Sequence, residues 1–222
     1  MTAPFALRRL TAACAASLLL GACHASTRPP SEAPAPASPA RAATPAASGM
    51  AHAHGAASAP VTIPAGATYT EADVRFMQGM IAHHAQAIHM SRMAPERGAD
   101  PRLVRFANKI DLSQAGEIAL MQGWLRAHGQ HAPDTSSWRT TTMHGMLTAD
   151  ELARLEASRG AAFDRLFLEY MIRHHEGALR MVSELFATPR AAQDVDVSVL
   201  ANDVEQTQTA EIGLMRQMLA RP

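Results

Sequence analysis

The sequence predicts an all-α protein, a bundle of four helices arranged as two tandem hairpins. Apolar residues recur with a helical period from residue 70 to residue 219, and no stretch alternates as a strand would. Residues that favour turns fall only between the long segments. The sequence MQGMIAHHAQAIHM at residues 77–90 returns as LEYMIRHHEGALRM at residues 168–181. This repeat predicts two similar hairpins packed about a pseudo-twofold axis.

The N-terminus carries a targeting signal. Arg8 and Arg9 precede an apolar run over residues 10–20 that is too short to span a bilayer as a mature helix. The run ends in LGAC, which resembles a bacterial lipobox, so residues 1–22 are predicted to be a lipoprotein signal peptide and Cys23 the lipidated anchor. A conventional secretory peptide cut elsewhere is the alternative. The predicted location is the cell envelope, periplasmic or on the outer surface, with the protein held at the membrane.

Residues 23–69 are predicted to be a disordered tether. They are rich in Ala, Pro, Ser and Thr, and they show no apolar periodicity that would bury a face. Within them, the sequence GMAHAHG places Met50 beside the alternating His52 and His54. These side chains fit a flexible copper-binding segment, and a spacer that happens to contain histidine explains them equally well.

Start and stop signals divide the folded part, residues 70–222, into its elements. The helix starts carry capping residues: Thr70 with Asp73, Asp100 with Pro101, Thr148 with Glu151, and Asp194. The ends are marked by Pro95, Gly129 and Pro189. The four predicted long helices cover about 70–93, 101–127, 161–187 and 194–219, and a short helical segment runs from residue 148 to Gly160.

The repeat continues into the second helix of each hairpin, which defines repeats at 70–128 and 148–220. The first helices are offset by 91 residues, from Met80 to Met171, and the second helices by 94, from Glu117 to Glu211. We therefore expect the loop of the second hairpin to be about three residues longer than that of the first.

The first helix divides its polar and sulfur-bearing side chains between two stripes. At 100° per residue, His84 lies on the stripe of Met77 and Met80, while His83 and Met90 lie on the adjoining stripe. We expect His84 to face the core. His83 and Met90 are expected to flank it.

The second helices place polar groups among apolar ones. Glu117 follows Gln114 by one turn on a buried stripe, and Gln208 and Glu211 repeat the arrangement in the last helix. A buried ionised Glu is costly unless it is paired. The histidines at positions 84 and 175 are the natural partners of these two carboxylates.

Three interpretations of this inner polar set stay open. It is a satisfied network that holds the hairpins in register, or a copper or zinc site with carboxylate support, or a di-metal redox centre. The last is disfavoured because it needs Glu-x-x-His on the helices, and this chain offers Gln-x-x-Glu and adjacent histidines instead.

Methionine and histidine together favour a soft metal ion. The chain has 13 Met, 11 His and only 2 Cys. Cu(I) prefers soft donors and accepts two to four of them in loose geometry. The candidate metal ligands are Met77, Met80, His83, His84, Met90, Met143, His144, Met146, Met171, His174, His175 and Met181. Met is equally at home as a filler of core gaps, and loop residues as ordinary turn content.

Other functions find little support in the sequence. The formal net charge is +0, so no nucleic-acid footprint is expected. The sequence has no nucleophile elbow and no glycine-rich phosphate loop. A binding protein without catalytic residues is the simplest expectation.

Three spaced motifs resemble a known family. FMxxMIxHH from Phe76, QxxEIxxMxxWL from Gln114 and FDxxFLxxMIxHHxGA from Phe163 resemble the bacterial family catalogued as domain of unknown function 305. The resemblance implies a ferritin-like four-helix bundle that is exported and, in its CopM-type members, binds copper or confers resistance to copper or silver. Leu168 in place of Met77, and Arg180 in place of His89, break the duplication of the ligand set.

The predicted function is therefore binding of Cu(I), with Ag(I) as a second soft ion, to buffer the metal or deliver it to a partner protein of unknown identity. One alternative is a structural or partner-binding bundle with a buried His, Glu and Gln network and no metal. A ferritin-like di-metal redox enzyme is less favoured.

Overall fold

The computed structural model describes residues 60–220, and within that range it is built of helices and contains no strand. The α-helices are α1 Glu71–Met93, α2 Pro101–Ala127, α3 Ala149–Ala157, α4 Gly160–Ala187 and α5 Val195–Leu219. Short 3-10 turns occupy Ala94–Arg97 and Ser137–Arg139. The predicted all-α fold is confirmed. The four long helices are those predicted, and α3 is the short segment that precedes α4.

Helix starts lie where the capping residues predict them. Thr70 and Thr148 each form a complete capping box with the acidic residue three positions later. Asp100 accepts a hydrogen bond from the amide of Arg102, and Asp194 accepts from the first turn of α5. These contacts satisfy amide groups that a helix N-terminus otherwise leaves without a partner.

The expected length difference between the hairpin loops is wrong. Seven residues connect α1 to α2, and seven connect α4 to α5. The three extra residues of the second repeat lie within α4, which continues three residues further beyond the shared motif than α1 does. The insertion therefore lengthens a helix.

The two hairpins, α1 with α2 and α4 with α5, meet through α1 and α4. These two helices run antiparallel. At one end, the Ala192 amide donates to Asp73 Oδ1 at 2.6 Å, and at the other, the Asp100 amide donates to Asp164 Oδ2 at 3.1 Å. Between these ends, the rings of His83 and His174 are in contact. Because His83 and His174 are repeat mates, the pseudo-twofold axis passes between them.

The core consists of two apolar clusters separated by a polar layer. One cluster includes Met77 and Met80 of α1, and the other includes Met90 of α1 and Met171 of α4. Each long helix contributes to both clusters and carries polar residues near the boundary between them. The polar layer comprises His83, His84, Gln114, Glu117, His174, His175, Gln208 and Glu211.

Residues 60–69, which composition assigns to the disordered tether, pack against the bundle. Val61 and Ile63 contact the first apolar cluster, and Tyr69 is buried in it. The side chain of Gln130 donates to the Thr62 carbonyl oxygen at 2.9 Å. The disorder prediction is wrong for these ten residues, since alternate apolar side chains give the segment a face to bury.

The predicted signal peptide, the lipidation site at Cys23 and the GMAHAHG segment lie outside the described residues. Within residues 60–220, no helix combines the length and the apolar character that crossing a membrane requires.

Candidate metal centre

Two histidines of the polar layer are paired with carboxylates. His84 Nε2 lies 2.6 Å from Glu117 Oε2, and His175 Nε2 lies 2.9 Å from Glu211 Oε2. The helical stripes predict these histidines and carboxylates as partners and leave open which pairs with which. Each contact joins the two helices of one hairpin, α1 to α2 and α4 to α5.

The two His–Glu pairs differ in how well their hydrogen-bonding groups are satisfied. Glu117 also accepts a hydrogen bond from Ser113 Oγ at 3.1 Å, and its side chain is 15% exposed. Burial raises the pKa of Glu117, but the hydrogen bond and charge of His84 outweigh it and hold the pKa below its usual range. The Glu211 side chain is 4% exposed, and its Oε1 has no partner. The second pair is therefore the drier one.

His83 and His174 form a different kind of pair. Both are completely buried, and their ring centroids are 3.9 Å apart with the planes tilted by 40°. Neither contacts a carboxylate. Burial lowers the pKa of His83 to about 3 and the pKa of His174 well below its usual value. Both rings are therefore neutral at physiological pH.

Most ring nitrogens of this pair have no hydrogen-bond partner. By hydrogen-bond geometry they are Nδ1 of His83 and both nitrogens of His174. Burial lowers the pKa of His174 most, and the backbone of His83 lies near enough to its ring to oppose that effect in part. The remaining one, Nε2 of His83, lies 3.0 Å from the carbonyl oxygen of His144. That oxygen is an acceptor only, so Nε2 carries the proton and the Nδ1 lone pair is free. Metal-binding histidines commonly donate their other N–H to a backbone carbonyl in this way.

The segment that supplies this carbonyl is held closely against α4. A Cβ on Gly177 would lie 2.0 Å from the His144 oxygen, and a Cβ on Gly145 would lie 2.5 Å from the Arg173 oxygen. Only glycine at both positions permits this contact between backbones. The next residues are fixed by Gln86 of α1, whose amide donates to the Leu147 oxygen at 3.0 Å and accepts from its nitrogen at 2.7 Å.

Two thioethers lie one turn along α1 from His83. A Cβ placed on Gly79 would lie 3.2 Å from Sδ of Met143 and 3.3 Å from Cε of Met181. Both Met side chains are partly exposed. The neighbouring His144 ring is exposed, with Nε2 4.0 Å from Glu184 Oε1. Imidazole and thioether groups thus occupy successive turns of the α1 and α4 contact.

The sequence matches the family Domain of unknown function (DUF305) over residues 73–219. This chain belongs to the DUF305 family. The resemblance expected from the three motifs is confirmed, and the match covers almost the whole described bundle.

Solved DUF305 structures share the fold. A DUF305 protein of Streptomyces coelicolor, named as a candidate secreted protein, is 29% identical, with 67% of this chain and 92% of that chain covered at a TM-score of 0.60. CopM in its Cu(I)-bound form is 30% identical, with 66% of this chain and 94% of that chain covered at a TM-score of 0.52. CopM has also been solved in Cu(II)-bound, Ag-bound and apo forms.

A curated relative matches a shorter region. Uncharacterized protein L153 of Acanthamoeba polyphaga mimivirus is 42% identical over 53 residues. The match spans 24% of this chain and 35% of that protein.

The other predicted ligands of this DUF305 chain lie elsewhere in the fold. Met77 and Met80 belong to one apolar cluster, and Met90 and Met171 to the other. Met146 is buried, 8% exposed, at the end of the MHGM segment. Their positions are those of packed core side chains.

His83 and Met90, which lie on the stripe beside that of His84, are both completely buried. Helix α1 is covered by α2 and α4 and by the linker before α3, so residues 80–88 are buried on every face. His89 is the first polar side chain beyond this range, and it stacks on Trp138 with ring centroids 4.9 Å apart.

Imidazole and carboxylate groups alone do not form a metal cage in the described part of this DUF305 domain. Across residues 60–220, no three side chains of His, Cys, Asp or Glu are placed to hold one ion together. A metal site at His83 and His174 therefore requires additional donors of another type. Thioether sulfur is the type at hand.

Gly79 and Gln86 were not anticipated as site residues. Gly79 had a recognisable signal, because a glycine inside a strongly predicted helix often marks a close approach by another group. Gln86 had none, since a polar residue in a helical repeat reads as solvent-exposed until the linker that covers it is known.

Proposed function

We propose that this DUF305 domain is an exported, non-enzymatic copper-binding protein that holds Cu(I) with the imidazoles of His83 and His174 and nearby thioethers. The observation that carries the proposal is a completely buried histidine pair with three unpartnered ring nitrogens. A buried polar atom without a hydrogen bond is costly, and the structure offers no carboxylate to offset it here. Binding of a ligand to these nitrogens would offset that cost.

The electrostatics favour a soft monovalent ion. Burial keeps both rings neutral, which is the form that binds a metal, so protons compete little with the ion. Neutral donors also suit a single positive charge better than a divalent one in a dry site. Met143 and Met181 add thioether sulfur, a soft donor that Cu(I) and Ag(I) bind more readily than zinc or iron does.

The family relationship supports the same class of ligand. CopM, a structural relative, has been solved with Cu(I), Cu(II) and Ag bound. Export fits the apolar leader with its LGAC sequence, and the Streptomyces coelicolor relative is named as a candidate secreted protein. We extend the proposal to lipidation of Cys23 and to transfer of the ion to a partner protein at the cell envelope.

A structural role is favoured for the inner pairs. The contacts of His84 with Glu117 and of His175 with Glu211 use the groups that a metal would otherwise bind. These pairs hold each hairpin together, so we assign them to stability. A ferritin-like di-metal centre has no support in the described residues, because no group of carboxylates and histidines converges there.

A competition titration with a chromogenic Cu(I) chelator tests the proposal. Every protein used is the full chain with Cys14→Ser, Cys23→Ser, His24→Ala, His52→Ala and His54→Ala, so that neither thiols nor the N-terminal histidines compete. The reference protein is expected to withdraw Cu(I) from the chelator. His174→Leu is expected to lower the affinity at least 10- to 100-fold, which is the usual cost of changing a residue that only hydrogen-bonds to a metal ligand. Equal affinity of the two proteins would contradict the assignment, and no withdrawal by either would end the copper proposal.

A further inference from the structure

Helix α2 has an exposed stripe along its outer face, which we call the α2 stripe. At 100° per residue, the residues within about 60° of Gly116 share one face of the helix. The stripe includes Arg102, Arg105, Lys109, Leu112, Gly116, Ala119, Leu120 and Gly123. All are exposed except Gly123, which is partly exposed. The stripe is thus basic along its first half and apolar or small along its second half.

The positive charge of the α2 stripe is not fully compensated. The two acidic residues of α2, Asp111 and Glu117, lie off the stripe and contact side chains of α1. Arg105 and Lys109 form no ion pair in the described part of the chain. These two positive charges are therefore available to an anionic partner.

The apolar half of the stripe exposes two large side chains. Leu112 is 77% exposed and Leu120 is 67% exposed. They lie about two turns apart, with the small residues Gly116 and Ala119 between them, so both can touch one flat surface. A helix that combines exposed leucine with Lys and Arg is typical of helices that lie at a membrane surface.

The repeat mate of α2 carries the opposite charge. With the offset between the second helices, Asp196 of α5 stands at the position of Arg102, and Asp203 at the position of Lys109. Both aspartates are exposed. Because α2 and α5 have the same place in their hairpins, the fold does not require basic residues here. Contact of the domain with an anionic surface is therefore favoured through α2 and opposed through α5.

The chain that precedes the described domain meets it at the end of α2. The side chain of Gln130, just beyond α2, donates to the Thr62 carbonyl oxygen at 2.9 Å. Tyr69 lies edge-on to Trp124 of α2, with ring centroids 5.2 Å apart. A lipid on Cys23 would thus be connected to the domain beside the apolar half of the α2 stripe. An extended chain spans about 3.3–3.6 Å per residue, so the intervening segment is long enough for α2 to reach the bilayer.

We infer that the α2 stripe docks on the surface of a bilayer containing anionic phospholipid. Arg105 and Lys109 contact the phosphate groups, and Leu112 and Leu120 enter the boundary between headgroups and acyl chains. The inference rests on the proposed location at the cell envelope and is independent of copper. A second copy joined through the same stripe would supply no carboxylate to the two basic residues. The acidic outer face of α5 in a second copy is the competing occupant.

A tethered domain needs only a weak contact of this kind. Each basic residue near an anionic membrane contributes about fivefold in affinity. Attachment to a lipid makes the docking step intramolecular, which raises the effective concentration of the bilayer at the stripe. The contact therefore orients the anchored domain and does not have to hold it at the membrane alone.

The test measures the reactivity of Lys109, which is the only lysine of the chain. The protein is the full chain with Cys14→Ser and Cys23→Ser. Its apolar run at residues 10–20 can itself bind vesicles, so the readout has to be local to α2. Acetylation of Lys109 by a water-soluble amine reagent is followed by mass spectrometry. With vesicles of phosphatidylglycerol and phosphatidylcholine it should be severalfold slower than in solution, and with phosphatidylcholine alone it should be unchanged.

Variants on and off the stripe give the second readout. Arg105→Glu is expected to weaken the contact more than about fivefold and to restore the reactivity of Lys109, and Leu112→Gln to do so in part. Arg154→Glu on α3 changes the net charge equally, and Leu214→Gln on α5 removes an exposed leucine elsewhere; both should keep the protection. Thermal unfolding shows whether each variant is folded, and Leu112→Gln keeps the test decisive if Arg105→Glu is not.

A relocated lysine controls for mere proximity to the vesicle. Lys109→Arg combined with Gln206→Lys moves the single lysine to the exposed outer face of α5. That lysine should react equally with and without vesicles. Protection of Lys109 should also fall at high salt, because exposed charges are then screened.

The outcomes separate the inference from the proposed function. Protection by phosphatidylglycerol that Arg105→Glu removes and Arg154→Glu keeps supports the inference. Equal reactivity of Lys109 with and without phosphatidylglycerol, or equal protection of the relocated lysine, overturns it. Protection that grows with protein concentration in the absence of vesicles also overturns it, in favour of a second copy. Copper affinity is measured separately, so the copper proposal stands or falls by its own titration.

Discussion

Adjacent histidines in each repeat have opposite surroundings. His84 and His175 each contact a carboxylate at less than 3 Å, whereas His83 and His174 contact each other and leave three ring nitrogens without a partner. All four are completely buried. The two pairs of histidines are thus alike in residue type and in burial, and they differ only in the groups that they contact.

This difference separates stability from binding. A buried histidine with a hydrogen-bond partner contributes to stability. Removing it leaves the partner buried without a hydrogen bond, which is costly. A buried histidine without a partner contributes little to folding and keeps a lone pair free for a ligand. Substitutions at neighbouring positions should therefore have contrasting effects.

The largest effect is expected from His175→Leu. Its removal leaves the Glu211 carboxylate buried with no hydrogen bond, which should cost about 3–5 kcal/mol in the free energy of unfolding. His84→Leu should cost less, because Glu117 keeps Ser113 and is more exposed. Urea unfolding of the two variants measures the difference.

A second substitution controls for lost packing. His175→Leu combined with Glu211→Leu removes both polar partners and should recover most of the lost stability. If the double variant is as unstable as the single one, the effect comes from packing and not from the unpaired carboxylate.

A smaller effect is expected from acid. The pKa of His174 is lowered in the folded protein, so the unfolded chain binds more protons below pH 6.5 and the folded state loses stability as the pH falls. His174→Leu removes this term. Between pH 7.5 and pH 5, the free energy of unfolding of the variant relative to the unchanged protein should therefore rise by roughly 2 kcal/mol. Each pH unit below 6.5 contributes about 1.4 kcal/mol.

Unfolding measured at both pH values checks this. A stability difference between variant and unchanged protein that does not depend on pH would show that His174 titrates normally. Its ring would then not be the dry, neutral ligand that the copper site requires.

An effect of similar size is expected from Gln86→Leu. This substitution leaves the buried backbone groups of Leu147 without partners and should cost about 1–3 kcal/mol. Gln86 holds Leu147, which lies three residues after His144, and the His144 carbonyl oxygen accepts from the His83 ring. The His83 ring should therefore become more mobile in the variant. Line broadening of the His83 ring signals by NMR measures this, and unchanged signals would show that the linker is held by its glycines alone.

The fold was largely predictable from local signals. Caps at Thr70, Asp100, Thr148 and Asp194 and the helical period gave helix limits that the structure confirms. These signals depend on residues close in sequence. The repeat added the pairing of hairpins, because duplicated segments pack symmetrically.

The candidate site was less predictable, for a physical reason. The stripes predict that His84 and His175 meet the carboxylates of Glu117 and Glu211, but they leave open which histidine pairs with which carboxylate. The environment of His83 depends on the linker at residues 143–147, whose path no local signal sets. The helical stripes distinguish His83 and Met90 from His84, but they do not predict that the linker buries His83 completely.

Copper K-edge X-ray absorption of the Cu(I)-loaded protein, with and without His174→Leu, tests the central claim most directly. We predict imidazole scattering together with sulfur in the unchanged protein, and weaker imidazole scattering in the variant, which keeps only His83 of the pair. Copper surrounded by sulfur or oxygen alone, or an identical spectrum in the variant, would contradict it.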